Sequence, residues 1–257
     1  MRGILLGLVL LLARPWASAA TAEDWISVAA RPGVEVKCLL TQERDARPTR
    51  VLLLFPGGGG KVRLESAPGG QVNFLVRARA LLTGPDIASA VVDLPSDQPE
   101  AISDGFRTGP VHAADVAAVM DALKVRIPTA EAIYLVGTSR GTLSALNAGR
   151  RLADRTQGIV LTAAVWRDGL DAKEFQGLTV PVLLVHHRDD ACKASPYYRA
   201  RWTSEKFKLT LVTVEGGAHA VTDPCEPGSP HGFWGKEAET AEQILRWVRG
   251  EPVREKI

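Results

Sequence analysis

The segment IYLVGTSRGTLSAL, residues 133–146, carries the strongest structural signal in this chain. Its first four residues form an unbroken apolar run, which predicts a buried strand of a mostly parallel sheet. The next five residues, Gly-Thr-Ser-Arg-Gly, lead into a helix-compatible stretch. This order of strand, turn and helix is the context of a G-x-S-x-G turn, which exposes a serine nucleophile. Glycine is needed at 137 and 141 because larger side chains there would collide with the adjacent strand or helix.

With Ser139 at its centre, this turn resembles the nucleophile elbow of the α/β-hydrolase family. The alternative interpretation is a glycine-rich turn without chemistry. The resemblance implies a single α/β-hydrolase domain with a mostly parallel central sheet, helices on both faces and little or no lid insertion. It also implies an oxyanion loop upstream of the serine, and an acid and a histidine downstream.

Length and composition agree with one folded domain that follows a leader. The 257 residues are 46% apolar, enough to bury a full core over residues 21–257. Residues 1–20 differ: Arg2 is followed by an apolar run at 4–13 and an A-x-A site at 17–19. This pattern predicts a cleaved secretory signal, with a retained anchor as the alternative. Because ten apolar residues are too few to span a bilayer, we expect an exported protein, periplasmic or extracellular, without stable membrane insertion.

The charge balance excludes several classes of partner. Lys plus Arg number 31 and Asp plus Glu number 29, and removal of the leader takes away two arginines and no acid. A formally neutral mature chain gives no indication of a nucleic-acid groove or a polybasic membrane patch. The sequence has no H-E-x-x-H motif and no Cys/His ligand spacing, so we expect neither a metal nor a cofactor. The oligomeric state is left open.

A glycine-rich loop follows the apolar strand VLLLF at 51–55. Four glycines, residues 57–60, come directly after Pro56, and their backbone can approach a ligand closely. By the family resemblance, the backbone amides of Gly58, Gly59 and Arg140 form the oxyanion hole, with proline where many members have histidine. The alternative is a flexible glycine turn. A phosphate-binding loop is disfavoured because no G-K-[ST] ending follows.

The acid is expected after the strand at residues 180–186, where two aspartates are adjacent. Ligands of open α/β sheets bind at the carboxyl edge, to which this strand would deliver Asp189 and Asp190. In the family the acid usually falls three residues after a glycine. His187 occupies that glycine's place, so the resemblance selects Asp190 and leaves Asp189 as a solvated or loop-capping aspartate.

Two histidines beyond the last strand could serve as general base. His219 follows two glycines, and His231 opens the stretch HGFWG just before the terminal helix. This region resembles exported bacterial dienelactone-hydrolase-like proteins, in which an H-G-[FY] histidine precedes the last helix. The resemblance favours His231 and leaves His219 as a pocket or loop-packing residue. His186 and His187 are expected to pack near a strand end.

The remaining elements follow from apolar periodicity. His112 is expected at the exposed start of a helix and is assigned no chemistry. The pattern predicts strands at 34–40, 51–55, 88–94, 133–136, 159–165, 180–186 and 209–214, and helices at 71–82, 111–125, 196–206 and 236–249.

Three cysteines in an exported chain suggest pairing. The family fold would bring the loops of Cys192 and Cys225 together, which implies a disulfide between them and leaves Cys38 as a buried free thiol. The alternative is unbonded packing thiols. The combined expectation is a secreted serine hydrolase that cleaves a small-molecule carboxylic ester. A peptidase or thioesterase using the same residues, or a non-catalytic binding protein on this scaffold, are the alternatives.

Overall fold

A computed structural model describes residues 20–65, 71–166 and 174–257 of the chain. Residues 1–19, on which the predicted signal peptide falls, lie outside the described residues. In the described part, eight strands form one sheet in the order β1-β2-β4-β3-β5-β6-β7-β8. The strands are β1 (Thr21–Arg31), β2 (Val34–Glu43), β3 (Arg50–Phe55), β4 (Ile87–Pro95), β5 (Ala132–Thr138), β6 (Gly158–Thr162), β7 (Val182–His187) and β8 (Thr210–Val214).

The sheet is parallel from β4 to β8, and β2 pairs antiparallel with both β1 and β4. This arrangement confirms the predicted fold class. Helices flank the sheet, and two 3₁₀ turns, Ala153–Arg155 and Pro230–Gly232, lie in connections. The described helices are α1 (Phe74–Arg77), α2 (Asp104–Arg107), α3 (Pro110–Arg126), α4 (Gly141–Arg151), α5 (Tyr197–Phe207) and α6 (Glu237–Val248).

The sequence of β3 is continuously apolar from Val51 to Phe55 because both faces of the strand are buried. Val51, Leu53 and Phe55 pack into one core cluster together with residues of α3 and α4. Leu52 and Leu54 pack into a second cluster with residues of α1 and α6. Successive side chains of a strand point to opposite faces, so a strand with helices on both sides is apolar at every position.

The edge strand β1 was absent from the sequence prediction, which took residues 34–40 as the first strand. Its side chains are mostly exposed or half-buried, and Trp25 is 43% exposed. A strand with little buried surface has a weak hydrophobic pattern. Its position comes instead from backbone pairing with β2, from Thr21 opposite Glu43 to Arg31 opposite Val34. The turn between the two strands contains Gly33 at φ +73°.

Two further expectations differ from the structure. The helix predicted over 71–82 is reduced to α1, because the chain continues as turns up to Leu82. His112 does not lie at an exposed helix start: it is 4% exposed and packs against Phe55 and Phe106. The helix α2 directly precedes α3, and its Phe106 covers the His112 ring, whereas Pro110 and Val111 in the same first turn stay exposed.

The connection between β6 and β7 spans residues 163–181, which is too short for an inserted lid domain. Its residues 167–173 are outside the described part. Among the helices that the structure describes, none is long and apolar enough to cross a membrane.

Candidate active site

Ser139 lies on the sharp turn between β5 and α4, with a φ of +52°. The two flanking glycines make this turn possible. A Cβ on Gly137 would lie 2.4 Å from the Gly141 carbonyl oxygen, and one on Gly141 would lie 2.0 Å from the Phe55 carbonyl oxygen. A backbone hydrogen bond of 3.0 Å from Ser139 to the Thr162 carbonyl on β6 holds the strained residue in place.

Three predicted residues form a continuous hydrogen-bonded chain. The Ser139 Oγ lies 2.9 Å from His231 Nε2, and His231 Nδ1 lies 2.8 Å from Asp190 Oδ2. An ionised carboxylate can only accept, so the Nδ1 carries the hydrogen and Nε2 is left to accept from the serine hydroxyl. The geometry is that of a nucleophile, a base and an orienting acid.

The His231 side chain is positioned by a tight 3₁₀ turn. Ser229 caps this turn through a 3.2 Å hydrogen bond from the His231 amide to its Oγ. A Cβ on Gly232 would lie 2.0 Å from the Pro227 carbonyl oxygen, so only glycine fits there. Arg77 donates to the Gly232 carbonyl at 2.5 Å and pairs with Glu237 on α6. No sequence signal marked Arg77 for this position.

Asp190 is a buried carboxylate with several donors. Its Oδ1 accepts from the Cys192 amide at 2.9 Å, and its Oδ2 lies 3.4 Å from His186 Nε2 in addition to His231. Burial by itself would raise the pKa of Asp190, but the hydrogen bonds from His186 and His231 outweigh it and lower the pKa well below its usual range. The carboxylate is therefore ionised at neutral pH, as its partner His231 requires. The adjacent Asp189 has a side chain that is 62% exposed.

The other histidines are placed away from the serine. His219 is exposed and does not pack in the pocket or loop as expected. His186 Nε2 lies 2.9 Å from the Ser195 carbonyl oxygen, and because a carbonyl oxygen only accepts, Nε2 carries a hydrogen. The same Nε2 lies 3.4 Å from Asp190 Oδ2. His187 donates to the Gly216 carbonyl. Sequence reasoning placed His186 as a packing residue and missed its contact with the acid. The described residues contain no His/Cys/Asp/Glu cluster that could hold a metal ion.

The glycine loop lies directly against the serine. A Cβ on Gly57 would lie 2.8 Å from the Ser139 Cβ. The Gly60 amide donates to the Gly57 carbonyl oxygen at 3.1 Å, whereas the amides of Gly58 and Gly59 have no hydrogen bond to any described residue. The N–H groups of Gly58 and Gly59, which the family resemblance predicted as oxyanion-hole donors, are therefore free to bind a ligand.

The Arg140 amide is free in the same way. The preceding carbonyl, that of Ser139, accepts from the Thr142 amide and from the Thr142 hydroxyl, at 3.0 and 2.6 Å. In a trans peptide the N–H points opposite to the C=O, so the Arg140 N–H points away from Thr142. The Arg140 side chain forms an ion pair with Asp104 at 2.7 Å.

Neither a protein-family model nor a curated protein matches the sequence. Solved structures do match, among them dienelactone hydrolase from Anabaena variabilis, with a TM-score of 0.62 at 18% identity over 91% of this chain and 99% of that chain. The chain has the α/β-hydrolase fold. An α/β serine hydrolase without a lid, from Xanthomonas campestris, matches with a TM-score of 0.62 at 17% identity, covering 90% of this chain and 97% of that one. A cold-adapted esterase from an Arctic intertidal metagenomic library matches with a TM-score of 0.56 at 19% identity, covering 79% and 87%.

On this α/β-hydrolase fold, a disulfide joins the loop of Asp190 to the loop that precedes His231. Cys192 and Cys225 are bonded, as the sequence led us to expect, while Cys38 is free and buried. Cys192 is buried, but Cys225 is exposed and lines the same cleft as Ser139. The bond is therefore accessible to small reagents from the cleft.

The cleft at Ser139 has a volume of about 410 Å³. Its lining includes the glycine loop, Ser139, His231 and Phe74. Charged side chains of both signs line it. These charged residues are Lys61, Arg63, Glu65, Glu100 and Glu226.

Proposed function

We propose that this protein is a serine hydrolase that cleaves carboxylic esters through Ser139. The observation that carries the proposal is the hydrogen-bonded chain from Ser139 through His231 to Asp190, beside free backbone amides. Esters are the favoured class because one of the solved structures with this fold is an esterase. The same residues could also transfer acyl groups from amides or thioesters, and a panel of substrates separates these activities.

The first half of the reaction forms an acyl-enzyme. The Ser139 Oγ attacks the ester carbonyl carbon while its proton moves to His231 Nε2. The carbonyl electron pair moves onto oxygen, and the resulting oxyanion accepts hydrogen bonds from the amides of Gly58 or Gly59 and of Arg140. Collapse of this intermediate breaks the bond to the alkoxy group, which leaves as the alcohol with the proton from His231.

The second half restores the enzyme. A water molecule gives a proton to His231 Nε2 and attacks the acyl carbon, forming a second oxyanion in the same place. Its collapse releases the carboxylic acid and returns the proton to Ser139 Oγ. Asp190 stays ionised throughout, holds the Nδ1–H and stabilises the imidazolium formed in each half.

The test is covalent labelling of the purified protein with a fluorophosphonate, combined with hydrolysis of p-nitrophenyl esters of increasing chain length. We expect one equivalent of label on Ser139, and Ser139→Ala should abolish labelling and lower kcat by about 10⁴-fold or more. A folded wild-type protein that takes no label and hydrolyses no ester, amide or thioester would instead be a binding protein on this scaffold.

We also propose that the protein is exported. The predicted signal peptide at residues 1–20 and the Cys192–Cys225 disulfide support this location, because disulfides persist in oxidising compartments. Expression with the native leader, followed by cell fractionation and N-terminal sequencing, tests it. We expect a mature N-terminus close to residue 20 in the exported fraction, and an uncleaved cytoplasmic product would contradict the proposal.

A further inference from the structure

Arg107, on α2, is a buried cation without an acidic partner among the described residues. Its side chain is 1% exposed, and its Nη1 and Nη2 donate to the Ser144 hydroxyl at 3.0 Å and the Gly58 carbonyl at 3.1 Å. The Nε has no hydrogen-bond partner. Burial, and then repulsion by Arg140, lower the pKa of Arg107 to about 10, so it remains charged at neutral pH. Arginines are almost never fully buried unless they are paired, so this placement needs an explanation.

The contact with Gly58 sets the orientation of a peptide group in the glycine loop. The described chain contains no cis peptide bond, so the Gly59 N–H points opposite to the Gly58 carbonyl and away from Arg107. The next carbonyl, that of Gly59, accepts from the Ile102 amide at 2.9 Å. Two successive peptide groups of the loop are thus held from one side by residues 102–107, and the Gly59 N–H is left without a partner.

The guanidinium also packs closely against the loop. At Gly60, whose φ is +95°, an added Cβ would lie 2.9 Å from Arg107 Nη2. The second nearby guanidinium, that of Arg140, is paired with Asp104 at 2.7 Å. Of these two guanidiniums, that of Arg107 is the one without a carboxylate partner among the described residues.

We propose that Arg107 is a positioning residue of the oxyanion hole: it holds the Gly58–Gly59 peptide so that the Gly59 N–H faces the developing oxyanion. The charged guanidinium of Arg107 donates to the Gly58 carbonyl and polarises the Gly58–Gly59 peptide, which makes the Gly59 N–H a stronger donor. This inference rests on the proposed ester hydrolysis at Ser139. The donor that the glycine loop offers to the oxyanion is then the Gly59 amide, and α2 supports it through Arg107.

The experiment compares Arg107→Met and Arg107→Lys with a matched control, Arg249→Met. Arg249 pairs with Asp86 at 2.8 Å, at the start of β4 and so at the sheet edge opposite to Ser139. For each folded variant, kcat, KM and the inhibition constant of phenylboronic acid are measured. This acid forms a tetrahedral adduct with a serine hydroxyl, so its affinity reports on the oxyanion hole.

We expect Arg107→Met to lower kcat roughly 10- to 100-fold, less than the loss of a whole donor, with KM changed by less than about twofold. The affinity for phenylboronic acid should fall by the same factor as kcat. Arg107→Lys, which keeps the charge but has a single nitrogen in place of the two that contact Ser144 and Gly58, should lie between Arg107→Met and wild type. Arg249→Met should match wild type in kcat and in boronate affinity.

A folded Arg107→Met with kcat and boronate affinity within twofold of wild type would overturn the inference, and so would a loss of kcat without a loss of boronate affinity. Amide NMR of the wild-type protein gives a test that does not depend on the folding of variants. The Gly59 amide proton should move downfield when phenylboronic acid binds, and a stationary signal would contradict its role. Failure of the proposed function is distinct, because the wild type itself would then cleave no substrate.

Discussion

Replacement of Cys192 and Cys225 by alanine is expected to lower both stability and activity. The bond closes a loop across a sequence separation of 33, for which the chain-entropy model gives about 3.7 kcal/mol of unfolding free energy at 25 °C. In a domain of this size, each 1 kcal/mol corresponds to about 2–4 °C in Tm. The double variant should therefore melt roughly 7–15 °C below the wild type.

The effect on activity follows from the contacts of the two cysteines. The Cys192 amide donates to Asp190 Oδ1 at 2.9 Å, and Cys225 lies two residues before Pro227, which packs against Gly232 beside His231. Without the bond, the acid's loop and the base's loop can move relative to one another. Because a shift of about 1 Å costs a catalytic group up to 10²-fold in rate, we expect kcat to fall roughly 10- to 100-fold at temperatures where the variant is folded.

The assay is thermal unfolding and ester hydrolysis of the wild type, the double variant and Cys38→Ala. Cys38 lies on β2, opposite Val92 of β4, and is fully buried. Burial raises the pKa of its thiol to about 12, so it does not exchange with the disulfide. The control variant should keep its kcat. Dithiothreitol should bring the wild type to the level of the double variant and leave the double variant unchanged. An unchanged Tm would refute the loop-closure argument, and a lowered Tm with full kcat would refute the coupling to catalysis.

Three further comparisons test individual side chains. His231→Ala should lower kcat about as much as loss of the nucleophile, on the order of 10⁴-fold or more, whereas His219→Ala should keep kcat within twofold. Steady-state ester kinetics measure both, and the reverse ranking would transfer the role of base to His219. Asp190→Asn should lower kcat by about 10⁴-fold and Asp189→Asn by less than twofold, and equal losses in the same assay would refute the choice of acid. Burial, and then the charge of Arg107, lower the pKa of His112 to about 3, below its unfolded value of about 6.5. The native state therefore binds this proton less readily than the unfolded state. Stability is lost as the pH falls from about 6.5 towards 3. His112→Phe should reduce that loss by up to about 1.4 kcal/mol per pH unit, as measured by urea unfolding at pH 7, 5 and 4, and an unchanged slope would show that His112 is not the titrating group.

Several features of this protein were determined by local sequence alone. Gly137 is required by its contact with Gly141 in the same turn, whereas Gly141 is required by the Phe55 carbonyl at the end of β3. The spacing of the two glycines around Ser139 nevertheless predicted the elbow, because the G-x-S-x-G pattern lies within five residues. The apolar run at 51–55 predicted a strand covered on both faces, because each side chain alternates between two cores. Such features depend on neighbours a few residues away or on the period of the pattern, and both can be read from the chain.

Which distant residues meet depends on how the sheet and its loops pack together. Ser139 and His231 are 92 residues apart, and the sheet places them 2.9 Å from one another while His219, twelve residues before His231, stays exposed. Family resemblance pointed to His231, but position in the chain alone could not separate the two. Arg107 gave no signal at all, because an arginine in a polar loop is normally solvated. Its role arises from burial between α4 and the glycine loop, which is a property of packing across 49 residues of sequence.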